Sequence, residues 1–426
     1  MEYIDAIEFM KKSYDKEIRL GLERIKELLE LLGNPQDNLK FVHVAGTNGK
    51  GSVCAMTAEI LKSAGYRTGM FTSPVIWDYR EQFMIDGQII TEEEFCAYAN
   101  EIKQICDKMT DHPSEFEKCV ALAFLYFWRM KCDIVVLEVG MGGDLDATNV
   151  ISSPEVAAIV NIDYDHMGFL GNTLAEIAEK KAGIIKENIS VVVAEQNSEV
   201  MQFIRNRSVQ QNAMCYETSI KDIQITDTSL RGQIISYKKY RDIELALLGK
   251  HQSENMAIVL EIIDCLISKG YEISENAIRQ GLKYVRWKGR FDVYYSDPVV
   301  ILDGAHNPDG IEALKCNLLE YFPDKKFVFI VGILRDKDYR SMLGQMIPFA
   351  EAFVTIEPNN GRALSAEECA KAIRDAGYAG EIDVSATYSD ATKKAYSLSK
   401  GMHPICAFGS LYSLGELYEK LTKLVD

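Results

Sequence analysis

A glycine-rich segment that carries a lysine lies directly after a short apolar run. Phe41–Val44 predict a short buried strand, and residues 46–52 then place three glycines around Lys50 and end at Ser52. Apolar residues recur at helical spacing from Val53 until Gly65 ends the helix. This arrangement binds nucleotide phosphates, because loop N–H groups, the helix N-terminus and the lysine ammonium face the anion. The hydroxyl after the lysine usually faces Mg²⁺, which makes Ser52 a candidate metal ligand.

The loop departs from the strict phosphate-loop pattern G-x-x-x-x-G-K-[ST]. Val44 stands where the first glycine would be, and Gly51 separates Lys50 from Ser52. A plain glycine-rich turn between a strand and a helix therefore stays open as an alternative. The strand before the loop and the helix after it favour the nucleotide site.

Two further polar side chains follow predicted strands. Asp133–Val139 is a nearly continuous apolar run, typical of a central parallel strand, and Glu138 lies at its end. Val156–Ile162 predicts another strand, which leads to His166. Ligands of open α/β sheets bind at the carboxyl ends of the strands, so Glu138 is a candidate magnesium ligand and His166 is expected at the same edge. A surface glutamate and a structural histidine are the alternatives.

Two later segments have side chains that suit a nucleotide. Gly249–Asn255 begins a predicted helix, and the amide of Asn255 offers both the donor and the acceptor that an adenine edge needs. Lys283–Arg290 is the most basic short run of an acidic chain, and Arg290 fits a phosphate clamp. A solvated charged patch is the alternative for this run.

Predicted strands and helices alternate along the chain. Residues up to about Gly33 are expected to be helical, residues 167–173 to form a loop, and Leu174–Lys186 to form a helix. After about Ser296 a second series begins, which predicts a smaller doubly wound domain of about 130 residues. The other predicted elements are strands at Thr68–Phe71, Val299–Leu302, Lys326–Val331, Ala352–Ile356 and Ile405–Phe408, and helices over Ser114–Lys131 and up to Tyr321.

Length and composition exclude several classes of protein. A chain of 426 residues with 47% hydrophobic and 26% charged residues predicts two globular domains. The net charge of −16 argues against a general nucleic-acid binder. Ten cysteines without a C-x-x-C pair argue against a zinc ribbon or a disulfide framework. The charged N-terminus lacks a signal peptide, and the densest apolar run, Val120–Trp128, is shorter than the about 20 residues of a membrane span. We therefore expect a soluble, cytoplasmic protein with reduced thiols.

A series of strings, in order along nearly the whole chain, resembles the folylpolyglutamate synthase and dihydrofolate synthase family, a branch of the Mur-type ligases. The strings are LKFVHVAGTNGKGSV, TSP, LEVGMGGDLDATNV, DHMGFLGNT, KKAGIIK, GKHQSEN, WKGRFD, DGAHNP and GSLYSLGEL. The resemblance implies an α/β fold with an N-terminal P-loop ATPase domain of Mur-ligase type, residues 1–288, and a smaller C-terminal Rossmann-like domain, residues 297–426. ATP is expected between the two domains, together with a pair of Mg²⁺ ions.

The resemblance also assigns roles position by position. The family's carbamylated lysine corresponds to Lys181 and not to Lys180, while a surface charge is the alternative for both lysines. With Lys181, the residues Lys50, Glu138 and His166 form the expected catalytic set. The magnesium ligands correspond to Ser73, Glu138 and His166, the ATP contacts to Thr47, Asn48, Gly49, Lys50, Gly51, Ser52, Asn255, Arg290, Asp303 and His306, and the dihydropteroate contacts to Glu17, Ile18, Arg19, Leu20, Ser114, Glu115, Phe116, Glu117, Leu145, Asp146 and Ala147.

The chain departs from the family pattern at three places around the acceptor. Val75-Ile76 replaces a frequent His-Leu, Gln82 stands where Arg often follows Glu, and Asp144 replaces the Arg of a Gly-Gly-Arg string. These changes leave the ATP residues intact and affect the choice of pterin substrate.

The implied activity is ATP-dependent addition of L-glutamate to folates through an acyl phosphate. Whether dihydropteroate is a second acceptor stays open. The alternatives are a Mur-type amide ligase with another acid acceptor and a nucleotide-binding switch without catalysis. A dinucleotide oxidoreductase is disfavoured, because a lysine within the loop suits a triphosphate. We expect a monomer that binds neither nucleic acid nor membrane.

Overall fold

The strand that precedes the glycine loop lies inside an eight-stranded sheet of the computed structural model, which describes residues 1–13, 19–165, 167–294 and 298–422. The strand order is β4-β3-β2-β5-β1-β6-β7-β8, and only β3 and β4 run antiparallel to their neighbours. The strands are β1 (Phe41–Ala45), β2 (Thr68–Phe71), β3 (Phe83–Ile85), β4 (Gln88–Ile89), β5 (Ile134–Glu138), β6 (Val156–Ile159), β7 (Ser190–Val193) and β8 (Met214–Glu217).

Ten helices accompany this sheet in the described part of the chain. They are α1 (Tyr3–Lys11), α2 (Glu23–Leu31), α3 (Lys50–Ser63), α4 (Glu92–Cys106), α5 (Glu115–Arg129), α6 (Met167–Leu170), α7 (Leu174–Lys181), α8 (Ser198–Gln210), α9 (Lys250–Ser268) and α10 (Glu275–Tyr284). Val42 and Val44 of β1 pack towards α3, α9 and α10, whereas Phe41 packs towards α5 on the opposite face. Because both faces are covered, β1 is buried along its whole length, and its sequence is nearly continuously apolar.

The pairing of β1 decides where the candidate ligands lie. Strand β1 is parallel to both β5 and β6, and Val44 is in register with Glu138 on one side and with Ala158 on the other. The carboxyl ends of these three strands therefore meet at one edge of the sheet. The expectation that Glu138 lies on a strand next to the glycine loop is confirmed.

A second sheet of six strands follows in the chain, with a small three-stranded antiparallel sheet between the two. The small sheet consists of β9 (Ile223–Ser229), β10 (Gly232–Tyr237) and β11 (Tyr240–Leu245). The strand order of the second large sheet is β12-β13-β17-β14-β15-β16. Its strands are β12 (Asp292–Tyr294), β13 (Val300–Leu302), β14 (Phe327–Val331), β15 (Ala350–Thr355), β16 (Glu381–Val384) and β17 (Ile405–Phe408). Its helices are α11 (Pro308–Tyr321), α12 (Tyr339–Met346), α13 (Ala366–Asp375), α14 (Tyr388–Ser399) and α15 (Leu411–Thr422). Only β12 is antiparallel, so this unit is a doubly wound α/β layer, as predicted.

Several predicted boundaries were wrong. Residues 167–170 form α6 instead of a loop, and α3 begins at Lys50 instead of after the glycine loop. The helix predicted to reach Lys186 ends at Lys181, because the Lys180 carbonyl accepts a hydrogen bond from the backbone of Asp144 and a short 3₁₀ turn follows. The N-terminal helical region is divided into α1 and α2.

The cysteines and the helix lengths can be compared with the expectations of reduced thiols and of no membrane span. All ten cysteines carry free thiols. Among the described residues, no helix has the length and hydropathy required to cross a membrane.

Candidate active site

The glycine loop wraps around the N-terminus of α3. Gly49 has a φ of +95°, and a Cβ there would lie 2.4 Å from the Oδ1 atom of Asn255, so both conformation and space require glycine. Helix α3 begins at the next residue, and its free N–H groups therefore face the loop. The Lys50 ammonium donates hydrogen bonds to the carbonyls of Gly46 and Thr47, each at 3.2 Å. These groups form a cradle of donors that suits phosphate oxygens.

Thr47 ties the loop to the end of β6. Its N–H donates to the Asn161 carbonyl at 2.6 Å, and its hydroxyl both donates to the Asp163 carbonyl and accepts from the Asp163 N–H, each at 3.0 Å. The loop conformation is therefore determined by two strands.

The candidate ligand Ser52 is buried and already has a protein partner. Its Oγ accepts a hydrogen bond from Gln252 Nε2 at 3.1 Å, and Gln252 Oε1 accepts one from the Nδ2 of Asn255 at 3.1 Å. Asn255 thus lies against the phosphate loop, as expected. Gln252 was missed, although it lies one turn before Asn255 on α9, a spacing that places two amides on one helix face.

Glu138 and Ser73 lie together beside the loop. The Ser73 N–H donates to Glu138 Oε2 at 3.2 Å, and the Glu138 side chain is buried. Burial raises the pKa of this carboxyl, and the nearby Lys50 ammonium opposes that shift. The remaining predicted magnesium ligand, His166, lies outside the described residues. Within the described residues, no three His, Cys, Asp or Glu side chains are grouped so as to hold a metal by themselves.

Lys181, not Lys180, faces the phosphate loop. Its side chain is 4% exposed and its ammonium donates to the Gly46 carbonyl at 2.6 Å. Burial, followed by repulsion from Lys50, lowers the pKa of Lys181 to about 7. Lys180 instead pairs with Asp144 at 3.2 Å near the surface. A sizeable fraction of the Lys181 amine is therefore neutral near pH 7.

Arg290, Asp303 and His306 come to the same place from the second half of the chain. The Asp303 carboxylate accepts from the N–H groups of Phe291 and Ala305, and burial raises its pKa to about 6. Arg290 lies against the following glycine, where a Cβ on Gly304 would be 2.9 Å from the Arg290 Nη1 atom. Asp303 therefore shapes the backbone that carries Arg290 and His306.

His306 is held as a neutral ring. Its Nδ1 lies 2.8 Å from the Gly304 carbonyl and donates to it, which leaves Nε2 as an acceptor 4.0 Å from an oxygen of Asp165. Burial lowers the pKa of His306 to about 4. Asp165 also pairs with Lys337 at 2.6 Å, and neither residue was predicted from the sequence.

A second polar cluster surrounds the N-terminus of α5. The Ser114 hydroxyl caps this helix, and Glu117, whose carboxylate accepts from the Ser114 N–H, pairs with Arg24 at 3.1 Å. Both members of this ion pair are only 5% exposed. Arg24 also donates to the Arg19 carbonyl at 2.8 Å, so it joins the predicted acceptor segments before α2 and at α5.

Two more residues that were predicted to contact the pterin substrate are fixed by hydrogen bonds. Glu115 accepts a hydrogen bond from the Tyr79 hydroxyl at 3.0 Å. The Asp146 carboxylate accepts from the Met141 N–H at 2.8 Å and from the Thr148 hydroxyl at 2.5 Å. Their carboxylates are therefore oriented before any ligand binds.

One cavity of about 1190 Å³ joins the phosphate loop to this second cluster. Every predicted site residue that the structure describes lines it, whereas Glu17, Ile18 and His166 lie outside the described residues. The lining includes Arg19, Leu20, Thr47, Asn48, Gly49, Lys50, Gly51, Ser52, Ser73, Ser114, Glu115, Phe116, Glu117, Glu138, Leu145, Asp146, Ala147, Lys181, Asn255, Arg290, Asp303 and His306. A triphosphate and an elongated acid acceptor can therefore meet in one continuous space.

The chain is similar to known proteins over nearly its full length. The family models "Mur ligase middle domain" and "Mur ligase, glutamate ligase domain" match residues 44–263 and 289–411. The dihydrofolate synthase/folylpolyglutamate synthase of Bacillus subtilis is 34% identical over 430 residues, which cover 98% of this chain and 99% of the relative. The folylpolyglutamate synthase of Lacticaseibacillus casei is 32% identical over 378 residues, covering 85% of this chain and 87% of the relative.

Solved structures share the fold. Mycobacterium tuberculosis folylpolyglutamate synthase complexed with ADP and AMPPCP superposes with a TM-score of 0.90 at 30% identity, over 99% of both chains. E. coli FolC in complex with DHPP and ADP superposes with a TM-score of 0.87 at 26% identity, over 100% of this chain and 99% of the other.

Proposed function

This chain belongs to the folylpolyglutamate synthase/dihydrofolate synthase family of Mur ligases and is an ATP-dependent ligase; we propose that it joins L-glutamate to a folate acceptor, with dihydropteroate as a second acceptor. The single observation that carries this proposal is the continuous cavity from the phosphate loop to the polar cluster at α5. Relatives solved with ADP, AMPPCP or DHPP support it. We also propose a division into residues 1–288 and 297–426, with the substrates between the two units.

The proposed reaction proceeds in two steps. A carboxylate oxygen of the acceptor attacks the γ-phosphorus of ATP, which forms an acyl phosphate and displaces ADP. The neutral amine of L-glutamate then attacks the acyl carbon, and the resulting amide forms as phosphate leaves. Positioning and charge stabilisation account for most of the catalysis in such phosphoryl transfers. In this chain Lys50 and Arg290 supply positive charge that lines the cavity.

The residues beside the loop fit Mg²⁺. Ser73, whose backbone N–H donates to the buried Glu138 carboxylate, and Ser52 each have a hydroxyl, and carboxylate and hydroxyl oxygens are the hard donors that Mg²⁺ prefers. His166 remains a predicted ligand. When bound, Mg²⁺ offsets the negative charge of the transferred phosphoryl group. Two carboxylate or hydroxyl ligands suffice in many such sites, since Mg²⁺ retains waters and substrate phosphates as ligands.

Lys181 is proposed to be carbamylated. Its amine, with a pKa of about 7, is neutral often enough to attack dissolved CO₂, which forms a carbamate and releases a proton. Carbamylation converts a cation beside Lys50 into an anion and so relieves their repulsion. The mass of the whole protein trapped in bicarbonate should show the addition of one CO₂ that is missing in Lys181→Met; an unmodified lysine in a fully active sample contradicts this assignment.

Residues at the positions where the chain departs from the family pattern form hydrogen bonds or ion pairs with other parts of the chain. Glu81 accepts from the backbone of Ile76 and Trp77, Gln82 donates to the Tyr79 carbonyl, and Asp144 pairs with Lys180. None of these positions therefore supplies a cation to an acceptor carboxylate. A reduced preference for acceptors with several carboxylates follows.

The experiment that tests the function is ADP release from ATP and L-glutamate with dihydropteroate, dihydrofolate or reduced folates as acceptor. We expect release only when acceptor and glutamate are both present. ADP release that occurs with a non-folate acid and not with any of these acceptors would establish a different Mur-type ligase. Nucleotide binding without acceptor-dependent ADP release would establish a switch. A cytoplasmic location agrees with the free thiols. The monomeric state and the absence of a nucleic-acid partner stay predictions.

A further inference from the structure

The side chain of Asn48, within the phosphate loop, is held by the second half of the chain. Its Nδ2 donates to Asp309 Oδ2 at 2.7 Å, and its Oδ1 accepts from Asn307 Nδ2 at 3.1 Å. Both ends of the amide are thus bound by residues about 260 positions away in sequence. Asn307 and Asp309 line the same cavity as the loop.

Asp309 also holds the strand next to the loop. The same carboxylate oxygen accepts from Asn161 Nδ2 at 3.1 Å. Asn161 forms an isolated antiparallel bridge with Asn48, and its carbonyl accepts from the Thr47 N–H. One carboxylate therefore joins the ends of β1 and β6, the two strands beside the candidate phosphate site.

The anchor that carries Asp309 is rigid. Asn307 caps α11 through its Oδ1, which accepts from the Gly310 N–H at 2.8 Å, and Pro308 occupies the first turn. The negative charge of Asp309 in that first turn is favourable with the helix dipole. Movement of Asn48 would therefore break these hydrogen bonds or shift a capped 14-residue helix.

The partners of Asp309 decide how it can act. Asn48 and Asn161 are neutral amides, so each contact is a charge-assisted hydrogen bond, stronger than a neutral pair. A carboxylate facing a triphosphate directly would repel it. The carboxylate therefore suits the role of holding the amides of the loop, not that of a phosphate ligand.

We propose that Asp309 is a positioning residue for the nucleotide: it holds Asn48, and with it the phosphate loop, in the conformation that binds ATP. The second half of the chain then contributes to nucleotide affinity through the conformation of the loop, in addition to any direct contact with ATP. This inference rests on the proposed function only in taking the loop as the ATP site.

The test measures MgADP binding by calorimetry, without folate or glutamate. Asp309→Ala is expected to weaken binding about 10-fold, because the loop loses its charge-assisted acceptor. Asp309→Asn keeps an acceptor oxygen at the same place and is expected to remain within about 3-fold of the wild type. Glu312→Ala is the matched control, since Glu312 lies on α11 and its carboxylate accepts from Lys315 and Cys316 of its own helix.

Steady-state kinetics give a second readout. With acceptor and glutamate saturating, Asp309→Ala is expected to raise the KM for ATP about 10-fold with a smaller change in kcat. Unchanged MgADP affinity in Asp309→Ala would overturn the inference. Equal losses in the Ala and Asn variants would overturn it too, because an acceptor oxygen at this place would then not be what holds the loop. Failure of the wild type to bind MgADP would refute the proposed function instead.

A double-mutant comparison keeps the test informative if the alanine variant is poorly folded. Thermal unfolding without nucleotide identifies such a variant, and Asp309→Ser, whose side chain is too short to reach Asn48, is then measured in its place. Asp309→Ser and Asn48→Ala should each weaken MgADP binding, and the double variant should lose less than the sum of the two losses, because Asp309 acts largely through Asn48. Fully additive losses would contradict the proposal.

Discussion

Replacing Lys181 by methionine is expected to abolish ligase activity and yet make the folded chain more stable. The side chain is 4% exposed, and its ammonium donates a hydrogen bond to the Gly46 carbonyl. Burial and the nearby Lys50 lower its pKa from 10.5 to about 7. Methionine has a similar length and no charge, so it fills the same space without that electrostatic cost.

The size and sign of the effect follow from proton linkage. A lysine whose pKa falls from 10.5 to about 7 on folding destabilises the folded state by about 5 kcal/mol below pH 7. Between these values the unfolded chain binds more protons, so stability rises with pH, and the penalty disappears above pH 10.5. At pH 8 about 3 kcal/mol remains. Subtracting about 1 kcal/mol for the lost hydrogen bond leaves a net gain of about 2 kcal/mol for Lys181→Met.

Urea unfolding at pH 7, 8 and 9 in CO₂-free buffer measures this gain while the amine stays free. The wild type should gain up to about 1.4 kcal/mol per pH unit from Lys181, and that part of the slope should be missing in Lys181→Met. Lys180→Met removes a partly exposed charge on the same helix and should change stability by less than about 0.5 kcal/mol. A methionine variant that is less stable at pH 8, with the wild-type slope, would show that Lys181 is not destabilising.

The other predictions concern catalysis, the acceptor end and packing. Lys50→Ala should lower turnover at least about 100-fold, since one preorganised contact to developing charge is worth ~3–4 kcal/mol; near-normal ADP release would remove this lysine from the mechanism. Arg24→Met should cost ~3–5 kcal/mol in urea unfolding, because it leaves Glu117 buried and unpaired, and the added change Glu117→Leu should restore most of that loss; equal stability of the single and double variants would argue against a buried-charge penalty. Gly281→Ala should lower the free energy of unfolding by ~1–3 kcal/mol, because the added Cβ would lie 2.6 Å from the backbone of α3. In Gly344→Ala on α12 the added Cβ meets no atom within 4 Å, so this control should be neutral or stabilising. Similar melting temperatures for the two variants would contradict this packing.

Local patterns were sufficient for the phosphate loop and the sheet edge. The apolar runs of β1 and β5 predicted two buried parallel strands, and Glu138 at the end of the second was expected beside the loop. Chain order also predicted the second doubly wound unit. These inferences succeeded because a buried strand, a glycine loop and a helix each have a distinct short-range pattern.

Elements with weak periodicity were missed or misplaced. Strand β9 is exposed or half-buried along its whole length, and β11 mixes buried and exposed positions without a regular alternation. Helix α6 has only four residues, too few for a helical period to show. The end of α7 is set by a bond from the distant Asp144, which no local signal reveals.

The sequence by itself determined the chemistry available to this chain: a phosphate-binding loop with its lysine, a carboxylate at a strand end and a second nucleotide-facing unit. Only the tertiary structure decided that the Lys181 ammonium is buried against the Gly46 carbonyl, and that Asp309 and Asn307 hold Asn48 across about 260 residues. The physical reason is that burial and hydrogen bonding are properties of the folded surroundings. A lone Asp or Asn has the same letters whether it faces water or the loop of another unit.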